Sequence, residues 1–306
     1  MPRPRTATFL LLALLALAGA LAGCGGGAST ADSGKLNVVA AEDFWGSIAQ
    51  QLGGDRVEVS NIITNPAADP HDYEPSAEDA RTMAGAQLAI VNGIGYDQWA
   101  TKLLDANPSS SRTVLTIGDL LGLKDGDNPH QWYSPASVQK VIEQITADYK
   151  QADPGHAAYY DARRSRFEES GLAAYHRLID QIRSRYAGTP VGASESIFEP
   201  LAPALGLRLV TPRGFMDGIA EGTEPTPSDK ATADRQIADR QIELWVYNSQ
   251  NATPDVQRLN DAARSAGIPI ATVTETLAPE GASFQAWQSH ELEGLAAALA
   301  KASGAG

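Results

Sequence analysis

The chain has 306 residues, a formal net charge of −13, five His and one Cys. That length exceeds what one hydrophobic core usually organises, so two domains are expected, and the acidic balance without any Lys/Arg cluster excludes nucleic acid as a partner. A single Cys can form neither an internal disulfide nor a zinc site with several thiolates, which leaves His and carboxylate as the ligands open to any metal chemistry.

In chain order, the first feature is a leader. Arg3 and Arg5 precede an uncharged apolar run over 9–22 that ends in Leu21-Ala22-Gly23-Cys24. The run is short for a membrane span and has the shape of a signal-peptide h-region, and the LAGC tetrapeptide resembles a bacterial lipobox. Residues 1–23 are therefore expected to be a removed lipoprotein signal peptide, with Cys24 as the lipidated first residue of an extracytoplasmic, membrane-anchored protein. Removal takes two Arg and no acid, moving the net charge from −13 to −15. Residues 24–34 have the Gly, Ser and Ala composition of a flexible tether.

From Lys35 onward, apolar runs of strand length alternate with helical patterns, which marks an α/β fold. Over 35–152, strands are predicted at 36–41, 57–63, 88–92 and 113–117. Helices are predicted near 43–53, 76–85 and 97–106 and from Pro135 to about Gln151, the second opened by a capping-box pattern from Ser76 to Asp79. Over 153–188, Tyr160, Phe167, Leu172, Tyr175, Ile179, Ile182 and Tyr186 recur at helical spacing, which predicts one helix of about 34 residues, roughly 50 Å long. Over 189–306 the alternation resumes, with strands at 190–193, 207–211, 242–247 and 268–273 and helices near 196–205, 227–240, 254–266 and 284–302. The expectation is two Rossmann-like lobes, each a mostly parallel sheet with flanking helices, joined by one long rigid helix.

Parallel sheets bind ligands at the carboxyl ends of their strands, so the polar residues of post-strand loops are the ones to weigh. His71 lies in DPHDYEPS (69–76) and His130 in DNPHQWYSP (127–135). Glu195 lies in GASES (192–196) and Glu275 in TVTET (272–276). Two imidazoles from one lobe and two carboxylates from the other make a mixed N/O set that a divalent first-row metal accepts. Each piece alone has an ordinary reading. A loop His is usually just solvated, an acid near a helix N-terminus is stabilised by the macrodipole, and Glu221 and Glu280 rival Glu275. His156, His176 and His290 sit on helices as bystanders.

Read together, DPHDYEPS, NGIGYDQW (92–99), NPHQW, the long helix, GASES and TVTETLAPEG resemble the solute-binding proteins of zinc and manganese ABC importers over about residues 35–302. The resemblance implies metal ligation by His71, His130, Glu195 and Glu275, delivery of Zn2+ or Mn2+ to a permease with its ATPase, no catalysis, a monomer, and only slight closure of the lobes. Two departures stand out. Glu275 is one methylene longer than the usual Asp, and Asn128 replaces the Asp common before the second Pro-His, which weakens a supporting carboxylate role there. Two carboxylates favour a harder ion such as Mn2+, while intrinsic affinity favours Zn2+. Two other readings stay open at this point: a metallohydrolase in which Glu74 is the base beside an open metal position, and a binder of an organic solute.

Overall fold

The computed structural model describes residues 34–65 and 73–304. His71 and Cys24 lie outside the described residues. From Leu36 onward the chain forms one compact unit built on two four-stranded parallel sheets. No helix among the described residues is long and apolar enough to cross a membrane.

The first sheet has the order β2-β1-β3-β4, with β1 Leu36–Glu42, β2 Val57–Ile63, β3 Leu88–Val91 and β4 Thr113–Thr116. From Val38 to Ala41 β1 reads as an unbroken apolar run because both of its faces are covered. Val38 and Ala40 point into the main core, and Val39 and Ala41 into a smaller one with Met83, Trp99 and Leu104. Between the strands run α1 (Asp43–Gly53), α2 (Ala77–Ala84), α3 (Gln98–Ala106) and α4 (Ile117–Leu121). The Ser76 side chain caps α2 and Asp79 reaches back to the Ser76 N–H, so the capping box forms as its spacing predicts. α5 (Pro135–Ala152) starts where Ser134 caps and Pro135 takes the first position.

The expected single helix is divided. Pro154–His156 is a 3-10 turn, closed by the His156 N–H donating to the Asp153 carbonyl, while the Asp153 carboxylate bonds the His156 ring and the Tyr160 hydroxyl. α6 spans Ala157–Arg166, a π turn Phe167–Gly171 follows, and α7 spans Ala173–Tyr186. The wide turn lets the Leu172 N–H donate to the Phe167 carbonyl. Gly171 permits it, since a Cβ there would sit 2.8 Å from the Phe167 ring. The apolar stripe survives: Tyr160, Phe167, Leu172, Tyr175, Ile179 and Ile182 are all buried.

The second sheet repeats the topology as β6-β5-β7-β8, with β5 Pro190–Ala193, β6 Arg208–Leu209, β7 Leu244–Asn248 and β8 Ile270–Val273. Its helices are α8 (Ala202–Leu205), α9 (Arg213–Ala220), α10 (Pro227–Ala238), α11 (Pro254–Ser265) and α12 (Phe284–Ala302). Instead of one helix over 196–205 there is a 3-10 turn Ser196–Phe198 and then α8, because Pro200 and Pro203 interrupt the backbone bonding.

One main core runs through both halves. Its seam is aromatic. Phe44 of α1 stacks on Trp132 at 4.1 Å, Trp132 meets Tyr133, Tyr133 meets Trp287 of α12 at 5.7 Å, and Phe284 links Trp287 to Tyr175 of α7.

Candidate metal centre

Both sheets reverse their strand order between the first and third strands, so each opens a crevice at the carboxyl ends of β1/β3 and of β5/β7. The centre draws on the loop after β5 (Glu195), the loop after the edge strand β8 (Glu275) and the loop after α4 (His130). One ligand atom each from His130, Glu195 and Glu275 lie within 4.8 Å of one another, and all three residues are buried. The chain thus brings together three of the four residues singled out from sequence. The rivals Glu221 and Glu280 are exposed, as are Glu74, His176 and His290.

His130 leads into the 3-10 turn Gln131–Tyr133 that follows α4. Its orientation is set by Asn128. The backbone N–H of His130 donates to Asn128 Oδ1 at 3.0 Å, and His130 Nδ1 lies 2.9 Å from the same oxygen. Because the atom facing a backbone N–H must be an acceptor, the amide orientation is fixed, and Nδ1 must carry the proton. The lone pair is then on Nε2, the tautomer a metal needs. An Asn carbonyl performs the supporting role that the sequence comparison with Asp placed in doubt.

Glu195 and Glu275 are joined by Asn248, the last residue of β7. Its Nδ2 donates to Glu195 Oε1 and to Glu275 Oε1, each at 2.9 Å, while its Oδ1 accepts from the Gln250 N–H at 3.0 Å. Glu195 Oε2 accepts from Asn251 Nδ2 at 3.1 Å, and Glu275 Oε2 from the Tyr96 hydroxyl at 2.9 Å. The Gln250 side-chain carbonyl accepts from the Glu275 backbone N–H, bracing the loop. Buried carboxylates side by side repel, and N–H and O–H donors offset part of that cost.

Tyr96 reaches Glu275 from a loop in which Gly93, Ile94 and Gly95 all have left-handed φ, at 69°, 61° and 83°. Glycine accepts that region without cost, whereas a β-branched Ile there is strained. Ile94 is held by burial, its side chain pressed against Gly118. Tyr96, Asn248, Gln250 and Asn251 were not among the sequence candidates. The signal available for the last three was the cluster of carboxamides Asn248, Gln250 and Asn251 at the carboxyl end of β7.

Residues 38–298 match the family described as zinc-uptake complex component A, periplasmic. The chain belongs to this family. Among its relatives is the metal ABC transporter substrate-binding lipoprotein FimA of Streptococcus parasanguinis, 27% identical over 303 residues that cover 90% of this chain and 92% of FimA. Another is the manganese ABC transporter substrate-binding lipoprotein PsaA of Streptococcus pneumoniae TIGR4, 24% identical over 96% of this chain and 98% of PsaA. The iron-binding protein YfeA of Yersinia pestis is 30% identical over 58% of each chain. In fold, the chain matches the periplasmic zinc-binding protein TroA of Treponema pallidum, with a TM-score of 0.70 and 18% identity over 87% of this chain and 99% of TroA. It also matches a Mn-bound periplasmic metal-binding protein of Candidatus Liberibacter asiaticus, with a TM-score of 0.71 and 20% identity over 87% and 100%. FimA and PsaA are named as substrate-binding components of transporters, not as enzymes.

Proposed function

We propose that this chain is the extracytoplasmic substrate-binding component of an ABC importer for a divalent transition metal, zinc or manganese. The ion is held by His130, Glu195 and Glu275, with His71 of the DPHDYEPS motif as a fourth ligand, and is handed to a permease driven by an ATPase. Cys24 carries the lipid anchor, the tether 24–34 gives reach from the membrane, and the protein works as a monomer with lobes at 35–152 and 189–306.

The observation that carries this reading is the convergence of one imidazole of fixed tautomer and two carboxylates, all buried, at the carboxyl ends of both sheets. A divalent cation cancels the charge those two carboxylates bring into the interior, and the N/O donor set suits a first-row ion. The exposure of Glu74 removes support from the hydrolase reading, which needs a base held beside the metal. The metal content of the purified chain, measured by mass spectrometry, is expected to be one Zn or Mn per chain and to drop in Glu195→Ala and His71→Ala. Competition of Zn2+ against Mn2+ then assigns the preferred ion. Absence of stoichiometric metal, with no thermal shift on adding either ion, points to an organic solute instead.

A further inference from the structure

Every hydrogen-bonding atom of the Asn128 side chain is engaged, and its two ends face different halves of the molecule. Oδ1 accepts twice from His130. Nδ2 donates to the Ser196 carbonyl at 2.8 Å and to Glu199 Oε2 at 2.9 Å. Ser196 directly follows Glu195 and opens the 3-10 turn that Glu199 closes. The main-chain carbonyl of Asn128 is engaged as well, by the Gln131 amide at 2.8 Å. One carboxamide therefore fixes the imidazole ring of the first half against the turn that bears Glu195 in the second.

From this we infer that Asn128 is a positioning residue that locks the register between His130 and Glu195, so that metal affinity depends on a hydrogen bond between Asn128 and Glu199 that touches no metal. This inference rests on the metal-binding reading above. The chemistry requires a carboxamide. A carboxylate at this position keeps an acceptor for His130 but offers no donor to the Ser196 carbonyl and sets a like charge against Glu199. A hydroxyl is too short to serve both ends. Carboxamide and carboxylate are complementary across the seam, so exchanging them restores one of the two bonds: in Asn128→Asp with Glu199→Gln, the new amide donates to the new carboxylate.

Four forms of the whole chain test the inference: wild type, Asn128→Asp, Glu199→Gln and the double variant. Each is titrated with Zn2+ and with Mn2+ and melted metal-free. The expected result is a loss of about 10- to 100-fold in affinity for Asn128→Asp and partial recovery, about tenfold, in the double variant. The metal-free melts are expected to show a favourable coupling between the two positions. Wild-type affinity in Asn128→Asp overturns the inference. So does a loss that Glu199→Gln fails to reverse at all, because the bond to Glu199 then carries none of the dependence. If the wild type binds neither ion, the metal-binding reading fails, and the melting cycle still decides the link: coupling indistinguishable from zero overturns it, and measurable coupling upholds it. A variant too unstable to titrate is judged by the same cycle through its melting point.

Discussion

The two halves of the molecule share a topology and, at corresponding places, residue types, yet they treat a buried acid in opposite ways. Glu42 ends β1 and Asn92 follows β3, while Glu195 follows β5 and Asn248 ends β7. In the second half the Asn faces the acid and donates to it. In the first half Asn92 is turned away: its Oδ1 accepts from Trp45 Nε1 at 3.0 Å and its Nδ2 donates to the Pro129 carbonyl at 3.1 Å. Glu42 is fully buried and faces Asp97 rather than an amide. Burial, followed by the neighbouring Asp97, pushes its pKa well above the carboxylate range. The partner thus distinguishes the two acids: Glu195 faces the amide of Asn248, and Glu42 faces the carboxyl of Asp97. The first half contributes an imidazole to the cluster and the second contributes two carboxyl groups.

A second difference lies between the site and the seam beneath it. The site is polar and rich in hydrogen bonds, whereas the seam is a stack of rings ordered through α1, α12 and α7. Truncating the seam gives the largest expected effect. Trp287→Ala should cost about 3 to 5 kcal/mol in chemical denaturation, and the chain should still unfold in one transition. Two separated transitions in the wild type would break the account of a shared core.

The next largest effects fall on the carboxylate half of the site. Asn248→Asp, which sets a third acid against Glu195 and Glu275, should weaken metal affinity less than Asn248→Ala, because a divalent ion relieves the added repulsion. The latter should cost about 10- to 100-fold, as loss of a supporting hydrogen bond does, read by calorimetric titration. Equal affinities in both variants would dissolve the contrast between Asn248 and Asn92.

A third test uses Glu291 of α12, whose pKa burial raises from 4.5 to about 7. Its Oε1 accepts from the Thr274 N–H and Trp287 Nε1, and its Oε2 lies 2.5 Å from the Tyr133 hydroxyl, so it spans the seam next to the Glu275 loop. A raised carboxyl pKa means that the folded state holds the proton more tightly. Its contribution is therefore fully present at low pH and is lost as pH rises from about 4.5 through about 7. Glu291→Gln, neutral at every pH, should flatten the metal-free stability profile in that window by roughly 3 kcal/mol. An unchanged slope would count against a neutral Glu291. The smallest effect is expected at the periphery: Ser76→Ala removes a helix cap and should lower stability by about 1 kcal/mol, leaving metal binding by the carboxylate half untouched.

Much of this arrangement was legible in the sequence. β2 and β5 and helices α1 and α12 fall at their predicted bounds, because each pairs a clean apolar period with a Gly, Pro or cap at its end. α9 was not legible: Gly214 and Gly218 weaken its helical pattern, and burial of Phe215, Met216 and Ile219 overrides them. The π turn was equally hidden, since one extra residue leaves the apolar stripe nearly in phase. At the centre, His130, Glu195 and Glu275 announce themselves by chemical type. Asn128 and Asn248 do not, because a carboxamide becomes a positioning group only through what folding sets opposite it.

We infer that the two halves hold one divalent ion between an imidazole and two carboxylates. Calorimetric titration of Zn2+ into the metal-free chain, alongside Glu275→Ala, tests this. One ion per wild-type chain is expected, with affinity about 100-fold weaker or worse in the variant, a loss of about 2.7 kcal/mol. Equal binding by both, or binding by neither, would contradict it.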